Sequence, residues 1–159
     1  MSSTALSTSI LGAAGCLTAP LNDTEPNVVF SGNISSDEPL IENVDINPSS
    51  GYPHHYSALI ASRADRDKIR WEYIREDIPL FVDDLNRADL DTDYLVFFGM
   101  FLPKGKDIDG HGSSMQDGTL LSEYRITGTA DSRDPRLNTH VKIVRSDDVP
   151  DDVTFEVRY

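Results

Sequence analysis

The sequence predicts an α+β fold, a mainly antiparallel β-sheet with one or two short helices, forming a single domain after a disordered tether. Three observations carry this reading. Tyr94-Leu95-Val96-Phe97-Phe98-Gly99-Met100-Phe101-Leu102 is a nearly continuous apolar run between Asp93 and Pro103, too short to span a bilayer, and reads as a central strand buried on both faces. Val153-Thr154-Phe155-Glu156-Val157-Arg158-Tyr159 alternates without a break, as a half-buried strand does. Two segments ahead of the apolar run, Ser62-Arg63-Ala64-Asp65 and Asp77-Ile78-Pro79, carry helix start signals. At 159 residues the chain accommodates one core of ordinary size.

In chain order, residues 1–16 read as a signal-peptide remnant. Ile10-Leu11-Gly12-Ala13-Ala14-Gly15-Cys16 is a short run of small and apolar residues that ends in the single cysteine and precedes a polar, proline-containing stretch. It resembles the lipobox of secreted lipoproteins, in which small residues admit the signal peptidase and the thiol receives the lipid. That resemblance implies Cys16 as the lipid attachment residue. Ala13 stands where the motif usually has Leu, and no positive n-region precedes the apolar run; a start site assigned too far downstream would explain the second departure. A disordered tail with an incidental thiol is the alternative.

Residues 17–51 are rich in Pro, Asn, Ser, Asp and Glu, which bury too little apolar surface to offset ordering entropy, and are expected to form the tether. Val28-Val29-Phe30 is its one apolar cluster and a candidate first strand at the domain edge. Two glycosylation sequons fall within it, at Asn22 and Asn33. No run approaches the length of a membrane-spanning helix, so membrane association is expected only through the lipid.

The domain is expected over residues 52–159. Tyr56-Ser57-Ala58-Leu59-Ile60-Ala61 reads as a strand after a Gly51-Tyr52-Pro53 turn. A helix follows from the Ser62 capping box, with Ile69 and Tyr73 on one face and Trp71 off it. A second opens at Pro79 with a stripe of Ile78, Phe81, Val82 and Leu85. After the apolar strand, residues 119–127 alternate, with Leu120, Tyr124 and Ile126 on one face. Val141 and Ile143 mark another strand, and the last strand points Val153, Phe155, Val157 and Tyr159 inward.

Charge narrows the partners. With 27 acidic against 14 basic residues, a formal charge of -13 and a pI near 4.5, the chain has no basic stripe for nucleic acid and no attraction to bulk anionic membrane. Asp outnumbers Glu and Arg outnumbers Lys. This pattern resembles proteins of halophilic archaea, in which molar salt screens the self-repulsion of an acidic surface; an ordinary acidic mesophile protein is the alternative.

Over residues 52–159, the polar entry Asp89-Leu90-Asp91-Thr92-Asp93-Tyr94-Leu95-Val96, a glycine-containing loop and Asp117-Gly118-Thr119-Leu120 resemble the small domain of bacterial protease-complex accessory lipoproteins. The whole chain resembles uncharacterised haloarchaeal lipoproteins more closely. The accessory domain's Gly-Gly-Tyr is replaced here by Lys104-Gly105-Lys106-Asp107-Ile108, and its Thr-x-Pro-Tyr has no counterpart near Asn138-Thr139-His140, so no functional residue carries over.

Few residues suggest chemistry. Asp89, Asp91 and Asp93 match the first acids of a calcium loop, but Tyr94 stands where the turn glycine belongs and Met100 where the closing acid belongs; solvated turn acids are favoured. His54, His55, His111 and His140 lack zinc-site spacing and read as surface or capping groups. No serine sits in a Gly-x-Ser-x-Gly elbow, and no carboxylate pair stands out for hydrolysis. The aromatics Trp71, Tyr73, Tyr94, Phe97, Phe98 and Phe101 read as core before they read as a ligand pocket. Residues 104–118 read as the longest irregular stretch of the domain and the candidate interaction loop, with Lys104, Lys106, Asp107, Asp109 and His111 as its recognition residues; a mobile connector is the alternative. The expected function is that of an extracytoplasmic, lipid-anchored, acidic module that binds an unknown protein partner without a cofactor or metal. A solute-binding or hydrolytic domain built on an acid pair is the alternative.

Overall fold

The computed structural model describes residues 25–46, 53–77 and 79–159, without the side chains of residues 75–80. Cys16, the Asn22 sequon and Ile78 lie outside the described residues. Within them the chain runs β1 (Asn27–Ser36), β2 (His55–Ile60), α1 (Arg63–Arg66), α2 (Trp71–Asp77), α3 (Pro79–Arg87), β3 (Asp93–Pro103), β4 (Lys106–Gln116), β5 (Thr119–Gly128), β6 (Pro135–Arg145) and β7 (Asp152–Arg158). The fold is α+β, as the alternation patterns indicate.

The strands form two sheets rather than one. The first has the order β1-β6-β3-β2 and is antiparallel throughout; the second has the order β4-β5-β7, with β5 and β7 parallel. β3 lies inside the first sheet, and its side chains serve two cores. Leu95 and Phe97 pack towards the helices with Ile74, Phe81, Val82 and Leu85. Phe98, Met100 and Leu102 pack towards the second sheet with Ile108, Tyr124, Ile126 and Val157, and Tyr94 and Val96 with Leu120 and Val144. This layering of helices, sheet and sheet is why residues 94–102 carry almost no polar side chain.

Several further expectations need correction. Residues 25–46 are built into the domain instead of the tether: β1 pairs with β6 from Asn27 to Ser36, and Ile34, Leu40 and Ile41 are buried. β1 looks like tether because it is an edge strand with one exposed flank, so only part of its apolar pattern is needed. The helical stripe through Ile69 and Tyr73 is interrupted. Ser62 does cap α1, its hydroxyl accepting from the Asp65 N–H at 3.2 Å, but the helix ends after four residues. The next segment pairs with Leu40-Ile41-Glu42 through Glu42 N–H to Lys68 O and Arg70 N–H to Leu40 O, both 2.8 Å. Finally, Val157 is buried but Tyr159 is 72% exposed, because the pairing of β7 ends at Arg158, opposite Arg125.

The candidate interaction loop is also a strand. β4 and β5 form a hairpin closed by Asp117 and Gly118, whose φ angles of 49° and 79° are those of a two-residue turn matched to strand twist. Residues 104 and 105 make the other tight turn, from β3 into β4, with Gly105 at φ 90°.

Candidate functional site

Strand β6 is buried on both faces, but only one is apolar. Leu137, Val141 and Ile143 face the helical layer, whereas Asn138, His140 and Lys142 alternate with them and face the second sheet. The register of β1 places Asn33 beside His140 and Ser31 beside Lys142 on the same face. β4 covers this row. His140 is 5% exposed and Lys142 3%.

Polar groups hold β4 in place. The Asn138 amide donates to Lys106 O at 3.1 Å, and the Asn33 amide donates to Ile108 O at 2.6 Å and to the Asp107 carboxylate at 2.9 Å. With both of its N–H groups directed at acceptors, Asn33 turns its carbonyl oxygen to His140 Nδ1, at 2.6 Å. That contact requires a proton on Nδ1, so the neutral imidazole presents a bare lone pair at Nε2, which has no hydrogen-bond partner among the described residues. Burial, and then the charge of Lys142, push the His140 pKa down to about 4, against the opposing pull of Asp109 and the Ile108 carbonyl.

Gly110 makes this packing possible. A Cβ there would lie 2.8 Å from His140 Nε2 and 3.3 Å from Lys142 Cε. Beside it the β4–β5 register shifts between Gly110 and Gly112, leaving His111 as the extra residue of a bulge. Past the bulge, Lys142 Nζ donates to Ser113 Oγ at 2.9 Å and to Gly112 O at 3.3 Å, and lies 4.6 Å from the centre of the Tyr124 ring. Burial pushes its pKa down to about 8, with Glu123 pulling the other way. No carboxylate of the described residues forms an ion pair with it; Glu123 pairs with Arg158 at 3.3 Å.

β1 and β4 are edge strands on the same side of the sandwich, and no described strand pairs with their outer edges. Between them opens a cleft of about 540 Å³, walled by residues 25–28 and Ser31 on one side and residues 110–113 on the other, with His140 and Lys142 at its floor. Its mouth carries the partly exposed Val28. The cleft therefore combines a buried cation, a hydroxyl, an imidazole lone pair and two strand edges.

The expected recognition residues distribute along β4. His111 lines the cleft, and Asp107 fastens Asn33 beneath it. Lys106 contributes its carbonyl to Asn138, Asp109 is exposed, and Lys104 sits in the turn at the far end, its N–H on Asp134 O at 3.2 Å. His140, expected in a surface or capping role, is interior. Lys142 and Ser113 were not singled out at all. The one signal for Lys142 was the alternation Asn138-Thr139-His140-Val141-Lys142-Ile143, which has the pattern of a strand with one wet face; Ser113 had none.

The other candidates have structural roles. Asp93 is buried and accepts from Arg145 Nε at 3.0 Å and from the Asp89 N–H at 3.2 Å, while Asp89 accepts from the Asp91 N–H at 3.1 Å, so this acidic run shapes the entry to β3. Phe97 belongs to the helical core, and Phe98 stacks on Tyr124 with ring centres 4.4 Å apart. His55 packs edge-on to Phe155 at 4.9 Å. The Asn33 side chain of the second sequon is engaged by Asp107 and Ile108 of β4. No helix of the described residues is long and apolar enough to cross a membrane. Comparison with protein-family models, with curated proteins and with solved structures found no match.

Proposed function

We propose that this chain is a lipid-anchored, extracytoplasmic binding module of a salt-adapted cell, and that it recognises an extended segment of a protein partner in the cleft between β1 and β4 without transforming it. The observation that carries the reading is the pair of strand edges, unpaired among the described residues, that flank one open cleft with a polar floor. Free edges offer backbone donors and acceptors to an added strand, and the groups at the floor supply specificity. The resemblance of Cys16 and its neighbours to a lipobox supports the anchor, and the acidic composition supports the salt-rich setting. Replacing Cys16→Ser in the native host and fractionating tests the anchor: wild type is expected with membranes and the variant free. For recognition, neighbours crosslinked on the cell surface are compared between wild type and Ser31→Trp, which fills the cleft from an exposed position. Loss of one specific neighbour is the expected result, and an identical neighbour list contradicts the reading.

One observation favours hydrolysis as a second reading. Ser113 Oγ lies 2.9 Å from Lys142 Nζ, a nucleophile-to-base distance, and the amine's pKa is pushed down to about 8. Turnover of an ester or amide substrate that Ser113→Ala abolishes would establish it in place of the non-catalytic reading.

A further inference from the structure

We propose that the cleft floor is a site for a single carboxylate group, held by the Lys142 ammonium and the Ser113 hydroxyl. The proposal rests on the cleft being the recognition surface, but not on the lipid anchor or on which partner is bound.

A lysine buried to 3% exposure needs compensation for its charge. Lys142 receives it from one hydroxyl, one carbonyl and one aromatic face, all neutral. An ammonium has three N–H donors; Ser113 and Gly112 take two, and among the described residues no oxygen or nitrogen acceptor takes the third. Ser113 Oγ accepts from Lys142 and therefore has its own O–H to offer; its other neighbour, Ser122 Oγ, is at a long 3.4 Å. The two donors sit on atoms 2.9 Å apart and suit the two oxygens of one carboxylate.

Charge selects a monoanion. His140 is neutral and turns a lone pair, not an N–H, towards this end of β4, so it adds no positive charge and disfavours a second anionic oxygen. Asp109 and Glu123 lie close enough to act on His140 and Lys142, Glu25 stands at the rim, and His111 is the remaining titratable group in the wall. The Lys142 ammonium puts one positive charge at the floor, which one carboxylate matches and a phosphate dianion exceeds, while Asp109 and Glu25, and Glu123 already paired with Arg158, supply no further positive charge on a chain at -13. The absence of a side chain at Gly110 keeps the approach open, since a Cβ there would occupy the space next to both His140 and Lys142.

The test is calorimetric titration of the full chain in molar sodium sulfate. The probes are N-acetyl-trialanine with a free C-terminal carboxylate, the same peptide as its C-terminal amide, propionate, and inorganic phosphate. The free-acid peptide is expected to bind at least about tenfold more tightly than its amide. Lys142→Met is expected to lose the difference, while Lys68→Met, which removes an exposed lysine paired with Asp65, retains it. Ser113→Ala is expected to weaken it. Because a bound anion raises the pKa of an amine that otherwise titrates near 8, the wild type is expected to take up protons on binding around that pH, a readout that requires no variant to fold. Propionate binding as well as the peptide identifies a small organic acid as the ligand source, and preference for the peptide identifies a chain terminus. Equal binding of acid and amide, displacement by chloride or phosphate at equal strength, or no binding of any carboxylate overturns the site. The crosslinking comparison with Ser31→Trp then still reports on the cleft independently.

Discussion

His140 joins three strands through one ring. Its Nδ1 proton fixes Asn33 of β1, its face meets Tyr124 of β5 edge-on at 5.5 Å between ring centres, and its Nε2 abuts Gly110 of β4. A proton added to that ring would be buried beside Lys142, which is why its pKa falls from 6.5 to about 4. As the pH drops below about 6.5 the unfolded chain takes up a proton that the folded chain refuses until about 4, so stability is lost across that window, up to about 3 kcal/mol from this residue. Melting curves of wild type and His140→Gln over these pH values are expected to converge as the pH falls; parallel curves would show that the ring is not held neutral. Gly110 and Gly112 make a sharper pair. Gly110→Ala puts a methyl group into the imidazole and is expected to cost about 1–3 kcal/mol, whereas Gly112→Ala meets nothing within 4 Å and is expected to stay within about 0.5 kcal/mol. Denaturant titration measures both, and equal losses would contradict the packing described around His140.

At the scale of elements, the strands with regular apolar alternation were legible and those shaped by a neighbour were not. β3, β5 and β7 turn inward the residues their patterns indicated, with Val153 and Phe155 partly buried and Tyr159 exposed. β4 was unreadable because the residues that face His140 and Lys142 must be small or polar; Gly110 and Ser113 look like loop composition when the opposing row is unknown. β6 was only half legible for the complementary reason, its polar row having the appearance of a solvent face. The break between α1 and α2 depends on pairing with residues 40–42, a contact beyond the reach of local periodicity. Asn33 is the most direct side-chain link from β1 to β4, so Asn33→Ala is expected to cost about 1–3 kcal/mol and to raise amide hydrogen exchange along β4. Exchange along β3 should stay slow. Unchanged protection of β4 would mean that packing alone holds the second sheet on that side.

For the whole molecule, charge and exposure set the conditions of use. A chain at -13 repels itself, and the Debye length shrinks from about 10 Å near 0.1 M salt to about 3 Å near 1 M, so the melting temperature is expected to rise steeply over that range. Comparing salts of different exclusion from the protein surface separates screening from preferential exclusion, and a flat melting temperature in all of them would remove the salt-adapted reading. The same field disfavours an anionic ligand at long range, so the attraction at the floor comes from Lys142 at short range. Recognition through the open side of the sandwich is tested most directly by photocrosslinking on living cells, with a photoreactive residue at Ser31 in the cleft wall or at the exposed Thr154 on β7. One dominant adduct from Ser31, lost when Lys142 is changed to Met and absent from Thr154, is the predicted result; adducts from Thr154 with none from Ser31 would contradict it.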